Sequence, residues 1–155
     1  MMIEDGRIGS GCPSLLMEGI LECKALQTTV AMHEKAVAFA ESEYVRQEGL
    51  CSTRSEVEQL RVLIPIKSQC VAASAAYLEV LNAVISSLQS MLLKINNSSV
   101  DYEGINEQKS AITSYCDHAY ASKALMMEKA RQFQSSLELL YEGLGSLYEG
   151  HLTLI

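Results

Sequence analysis

The stretch VEQLRVLIPIKSQCVAASAAYLEVLNAVISSLQSMLLKI, Val57–Ile95, decides the fold. With Val57 at position a of a heptad, the a positions read Val57, Ile64, Val71, Leu78, Ile85 and Leu92. The d positions read Leu60, Lys67, Ser74, Leu81, Leu88 and Ile95. Apolar residues at this alternating three–four spacing fall on one face of an α-helix. Sustained over this length, they mark a helix packed along other helices. Just upstream, Thr53-Arg-Ser-Glu56 fits a capping box, in which hydroxyl and carboxylate satisfy backbone donors at a helix start. Pro65 lacks an N–H and predicts a kink near residues 61–65. Asn96-Asn97-Ser98-Ser99 ends the pattern.

The count extends outward in both directions. Upstream, the a series Leu16, Cys23, Val30, Val37, Tyr44 and the d series Gly19, Leu26, His33, Ala40 stop at Gly49. Downstream, the d series is Ile105, Ile112, Ala119, Met126, Phe133, Leu140, Leu147. Its a series is Lys109, Cys116, Lys123, Ala130, Leu137, Leu144, His151. The spacing predicts helices over 14–48, 54–96 and 101–148, behind a flexible lead-in over 1–13. Connections of about 4–8 residues force neighbouring helices antiparallel. The expected fold is therefore all-α, an up-down-up antiparallel three-helix bundle with long coiled-coil-like helices, forming one domain over 14–155.

Composition agrees and narrows the function. The 155 residues are 48% apolar and 20% charged, with two prolines and no Trp, a mixture that folds and favours helix. Net charge is −7, and no region carries a Lys/Arg cluster. Binding to a phosphate backbone requires neutralising cations, so nucleic acid is excluded as an expected partner, and an anionic membrane surface is disfavoured. The run Ser68–Leu93 holds one charge, Glu79, but Ser74, Asn82, Ser86, Ser87, Gln89 and Ser90 make it a poor membrane span. Five cysteines at irregular spacing, with no C-x-x-C, make neither a zinc site nor a disulfide framework and suit a reducing, cytoplasmic compartment.

No chemical constellation emerges. His33, His118 and His151 are far apart, and none lies three residues after a Glu. Cys116-Asp-His118 places its thiol and imidazole two residues apart, on different helix faces. Neither a catalytic residue, a metal ligand nor a cofactor site is expected, and the chain is read as a non-enzyme. Lys67, Lys109 and Lys123 interrupt the seam; a polar residue there can act as a register device, but the favoured expectation is that each lays its stem along the seam with the ammonium in solvent.

The expected function is a non-catalytic interaction or scaffolding bundle whose partner is a protein, either another helical chain, the remainder of a larger protein or a second copy. The candidate interface on the second helix is Cys70, Ala73, Tyr77, Val80, Val84 and Met91, a stripe beside the a/d seam. A second candidate lies in LYEGLGSLYEG, Leu140–Gly150, where Tyr141 and Tyr148 fall at e and Gly143 and Gly150 at g. These glycines trail a helix among glutamates, which is wrong for an anion-binding loop, and leave a bare surface for an approaching helix. The seam is expected to hold to about Leu147 and fray beyond it. The alternative function is a small-molecule or lipid carrier using space beside Gly19, Ala40, Ser74, Ala119 and Ala130. In helix lengths the chain resembles spectrin-type repeats, syntaxin-type regulatory bundles and BAR-type dimers. It lacks the tryptophan signature of the first and the basic surface of the last.

Overall fold

Short-range hydrogen bonding sets where the second and third helices begin. Ser55 caps α2 (Glu56–Asn97): its Oγ accepts from the Glu58 backbone N–H at 3.3 Å and donates to Glu58 Oε1 at 3.2 Å. The box thus runs Ser55-Glu-Val-Glu58, two residues after the expected Thr53–Glu56. The shift has a local cause, because Cys51–Ser55 is occupied by a turn. Arg54 N–H donates to Cys51 O, and the Gln59 amide closes onto the carbonyls of Ser52 and Arg54. α2 continues through Pro65.

The computed structural model describes residues 4–97 and 103–154, with side-chain surroundings for residues 19, 21–97 and 103–149. Three helices account for its regular structure: α1 (Glu4–Leu50), α2 and α3 (Ile105–Leu154). A helical bundle of this kind is the expected class. The ends of α1 and α3 differ from expectation. Residues 4–13, expected as a flexible lead-in, are helical, because glycine costs a helix about 1 kcal/mol per position but does not forbid it. The third helix begins at Ile105 instead of near 101; Gly104 has φ of +91° and its carbonyl accepts the first helical bond, from Gln108 N–H. Residues 101 and 102 of that expectation lie outside the described residues. At its other end α3 runs on to Leu154, past the expected fraying at Leu147.

Packing divides the chain into two units, and each helix contributes to both. The first comprises Met1–Ala31 and Val80–Lys123. Its core joins Val84, Ile85, Leu88, Met91 and Ile95 of α2 to Ile112, Cys116 and Ala119 of α3, with Cys23, Leu26 and Val30 of α1 packed against them. These are the heptad positions the sequence marked, together with the flank Val84/Met91. Gly19 is where α1 comes under the Gln108 side chain. A Cβ there would stand 2.3 Å from Gln108 Nε2, so the approach requires glycine or a displaced amide.

The second unit comprises Met32–Glu79 and Ala124–Ile155. Val37, Ala40, Leu63, Ile64, Cys70, Tyr77, Phe133 and Leu137 are its buried apolar residues, and Cys51 closes it at the turn. Glu41 of α1 accepts from Lys129 of α3 at 2.7 Å, and Arg61 of α2 donates to the Tyr148 hydroxyl at 2.9 Å. Buried Ser74 satisfies its hydroxyl on the Val71 carbonyl, 2.9 Å away and one turn back, so a polar d position costs little.

Candidate functional site

The stripe expected to meet a partner lies mostly inside the chain. Cys70, Tyr77, Val84 and Met91 are buried, while Ala73 and Val80 are half-buried. This corrects the expectation for α2, and the reason is geometric. In the heptad frame the four buried residues occupy g, and a helix in a three-helix bundle touches two neighbours, which cover its a/d seam and a flank. α1 supplies that cover. Burial and the nearby Glu34 carboxylate of α1 both raise the Tyr77 phenol above its ordinary range. Cys23, Leu26 and Val30 pack on the cluster that contains Val84 and Met91.

The C-terminal candidates fare differently. Tyr141 and Tyr148 are exposed, although Tyr148 holds Arg61 through its hydroxyl. Gly143 faces α2 itself: a Cβ built there would rest 3.7 Å from Leu60 Cδ1, an ordinary contact. The helix expected to approach it is therefore the chain's own. Gly150 lies within α3, with its surroundings outside the described residues.

What folding leaves uncovered is a different apolar set. In the second unit Met32, Phe39, Val45 and Leu50 of α1 and Leu125, Met127 and Leu139 of α3 are exposed, Phe39 at 72% and Leu125 at 74%. Met32 and Phe39 both fall at c, seven residues apart, and so do Leu125 and Leu139 in the frame of α3. The seam count passed over them because c lies outside a and d. Their hydrophobicity at a solvent-facing position was the available signal.

Lys67 also departs from expectation. Instead of reaching solvent, it is 9% exposed, with Nζ 3.7 Å from the centroid of the Tyr44 ring and 5.6 Å from that of Phe133. An ammonium at these distances is held by the negative ring faces. Tyr44 stands in the a series of α1 and Phe133 in the d series of α3, so the clue was a layer of the heptad lists read across three helices.

For chemistry the described residues offer little. No group of three or more His, Cys, Asp or Glu among them could hold a metal ion. Cys23, Cys70 and Cys116 have thiols pushed up, chiefly by burial, which keeps them protonated and poorly nucleophilic. In the first unit a pocket of about 50 Å³ is lined by Gly19, Glu22, Met91, Lys94, Ile95, Gln108 and Ile112. α2 is long and apolar enough to cross a membrane by length and composition, with a third of its most apolar window buried; a single such helix is weak evidence, because core helices of soluble proteins pass the same test of length and composition. Compared with known proteins, the chain matches no family model, no curated protein and no solved structure.

Proposed function

We propose that the chain is a non-catalytic helical module for protein–protein interaction or scaffolding, working inside the cell through apolar helix faces. The observation that carries the reading is the exposed set in the second unit, above all Phe39 and Leu125. Large apolar side chains repeat at c positions along α1 and along α3, and an exposed stripe of this kind is what another amphipathic helix lays its own stripe against. The partner in this reading is a helical protein surface, a second copy of the chain included. The reading takes the helices in up-down-up order, with α2 bent near Pro65. Four free cysteines at Cys23, Cys51, Cys70 and Cys116 suit a reducing compartment.

The test is sedimentation equilibrium of the purified chain over a wide concentration range, repeated with Phe39→Glu and Leu125→Glu. The expected result is concentration-dependent association that both substitutions weaken while helicity is retained. A monomer at every concentration would remove self-association. The interaction reading itself falls if, in addition, a photo-crosslinker at position 39 captures nothing from native extract that Leu125→Glu releases.

A second reading, a small-ligand carrier, is favoured by the pocket beside Gly19. At about 50 Å³ it is well below the roughly 300–1,000 Å³ of ordinary ligand sites, which argues against a lipid. Native mass spectrometry of protein purified from its source tests it: a bound small molecule lost on Gly19→Leu would favour the carrier.

A further inference from the structure

We infer that Lys67 is a register lock: clasped by Tyr44 of α1 and Phe133 of α3, its ammonium sets where α3 stands along α2 in the second unit. The need for a lock is visible in the heptads. The a series of α2 is aliphatic from Val57 to Leu92, and the d series of α3 is apolar from Ile105 to Leu147. Sliding α3 by one heptad, about 10 Å at 1.5 Å per residue, therefore sets apolar side chains against apolar side chains again. α2 is tied to α1 by the short turn at residues 51–55, with its hydrogen bonds to Gln59, whereas the connection over residues 98–104 before α3 can extend to roughly 24 Å, enough to permit a slide of one heptad.

Lys67 removes that freedom because its partners are scarce. The chain has two Phe, Phe39 and Phe133, and Phe39 is exposed. A slip of α3 by one heptad replaces Phe133 opposite Lys67 with Met126 or Leu140, neither of which offers a π face. The ammonium of Lys67, a residue 9% exposed as a whole, would then sit in an aliphatic layer with a single ring for company. Burying a charge in that way is strongly unfavourable, so the slipped registers are penalised and the native one is kept. A polar residue in a seam trades stability for a unique alignment in this manner.

The two phenylalanines also provide the readout. Protein labelled with ¹⁵N only at Phe gives two amide signals, one from each Phe. Lys67→Met keeps the length of the side chain and removes the charge; Lys67→Arg keeps a cation that stacks on rings. In Lys67→Met the Phe133 signal is expected to split into two or more, Phe39 to remain single, and the melting temperature to stay level or rise. Lys67→Arg is expected to show one Phe133 signal. Phe133→Leu, labelled at Tyr, is expected to multiply the Tyr141 signal, as α3 slips without its ring. A single Phe133 signal in Lys67→Met, whether shifted or not, would overturn the lock. So would failure of that variant to fold, since the ammonium would then be a requirement for stability and not for alignment.

Discussion

Two leucines on one helix, five residues apart, carry opposite consequences. Leu88 has no exposed surface and sits in the cluster built by all three helices in the first unit; Leu93 is 61% exposed. Truncating either to Ala removes the same atoms. At Leu88 they leave apolar surroundings, and a cavity remains because side chains from three helices cannot all collapse into it. Leu→Ala at buried sites costs about 2–5 kcal/mol, and the absence of exposed surface at Leu88 places it at about 3–4 kcal/mol. At Leu93 the lost burial is small and the helix propensity of Ala is at least as good, so the expected change is within about 0.5 kcal/mol. Urea unfolding followed by circular dichroism measures both, with the midpoint falling for Leu88→Ala at an unchanged slope. Equal effects at the two positions, or a loss below about 1 kcal/mol at Leu88, would refute the packing assigned to α2.

Other consequences are smaller but as definite. Gly145 lies within α3, with nothing within 4 Å of where a Cβ would stand, so Gly145→Ala is expected to stabilise by about 1 kcal/mol; a loss in chemical denaturation would mean its space is occupied. Ser55→Ala removes the acceptor of the Glu58 N–H and should cost about 1 kcal/mol, whereas Thr53→Ala should change little; the reverse order would return the cap to Thr53. The thiols of Cys23, Cys70 and Cys116 are raised above their ordinary value of 9.0, and the phenols of Tyr44 and Tyr77 above 10.0, with burial the largest cause in each. The unfolded chain therefore sheds these protons first as pH rises. Stability is fully present below about pH 9 and declines above it, seen as a urea midpoint lower at about pH 10 than at about pH 7.5. A flat or rising midpoint would contradict the burial of these groups.

The sequence by itself determined the number of helices, the seam and most of the core, because helix formation and a period near 3.5 depend on neighbours a few residues away. Leu81, Leu88, Ile95, Ile112 and Phe133 were all at seam positions, and all are buried. Helix ends were less legible. The Gly-rich stretch before residue 14 stays helical and the one after residue 142 does too, since a propensity penalty of about 1 kcal/mol per glycine weakens a helix without forbidding it.

Only the tertiary structure decided which flank of each helix is covered. Cys70, Tyr77, Val84 and Met91 look from the sequence like a spare apolar stripe, whereas Phe39 and Leu125 look like stray hydrophobes. The first set is closed over by α1 and the second is left in solvent. Periodicity states that a face is apolar; it does not state which helix lies against it, because that depends on pairing between residues far apart in the chain. Lys67 is the sharpest case. Alone it is a flaw in a heptad, and between Tyr44 and Phe133 it becomes a contact that selects one alignment, a property present only when three helices share a layer.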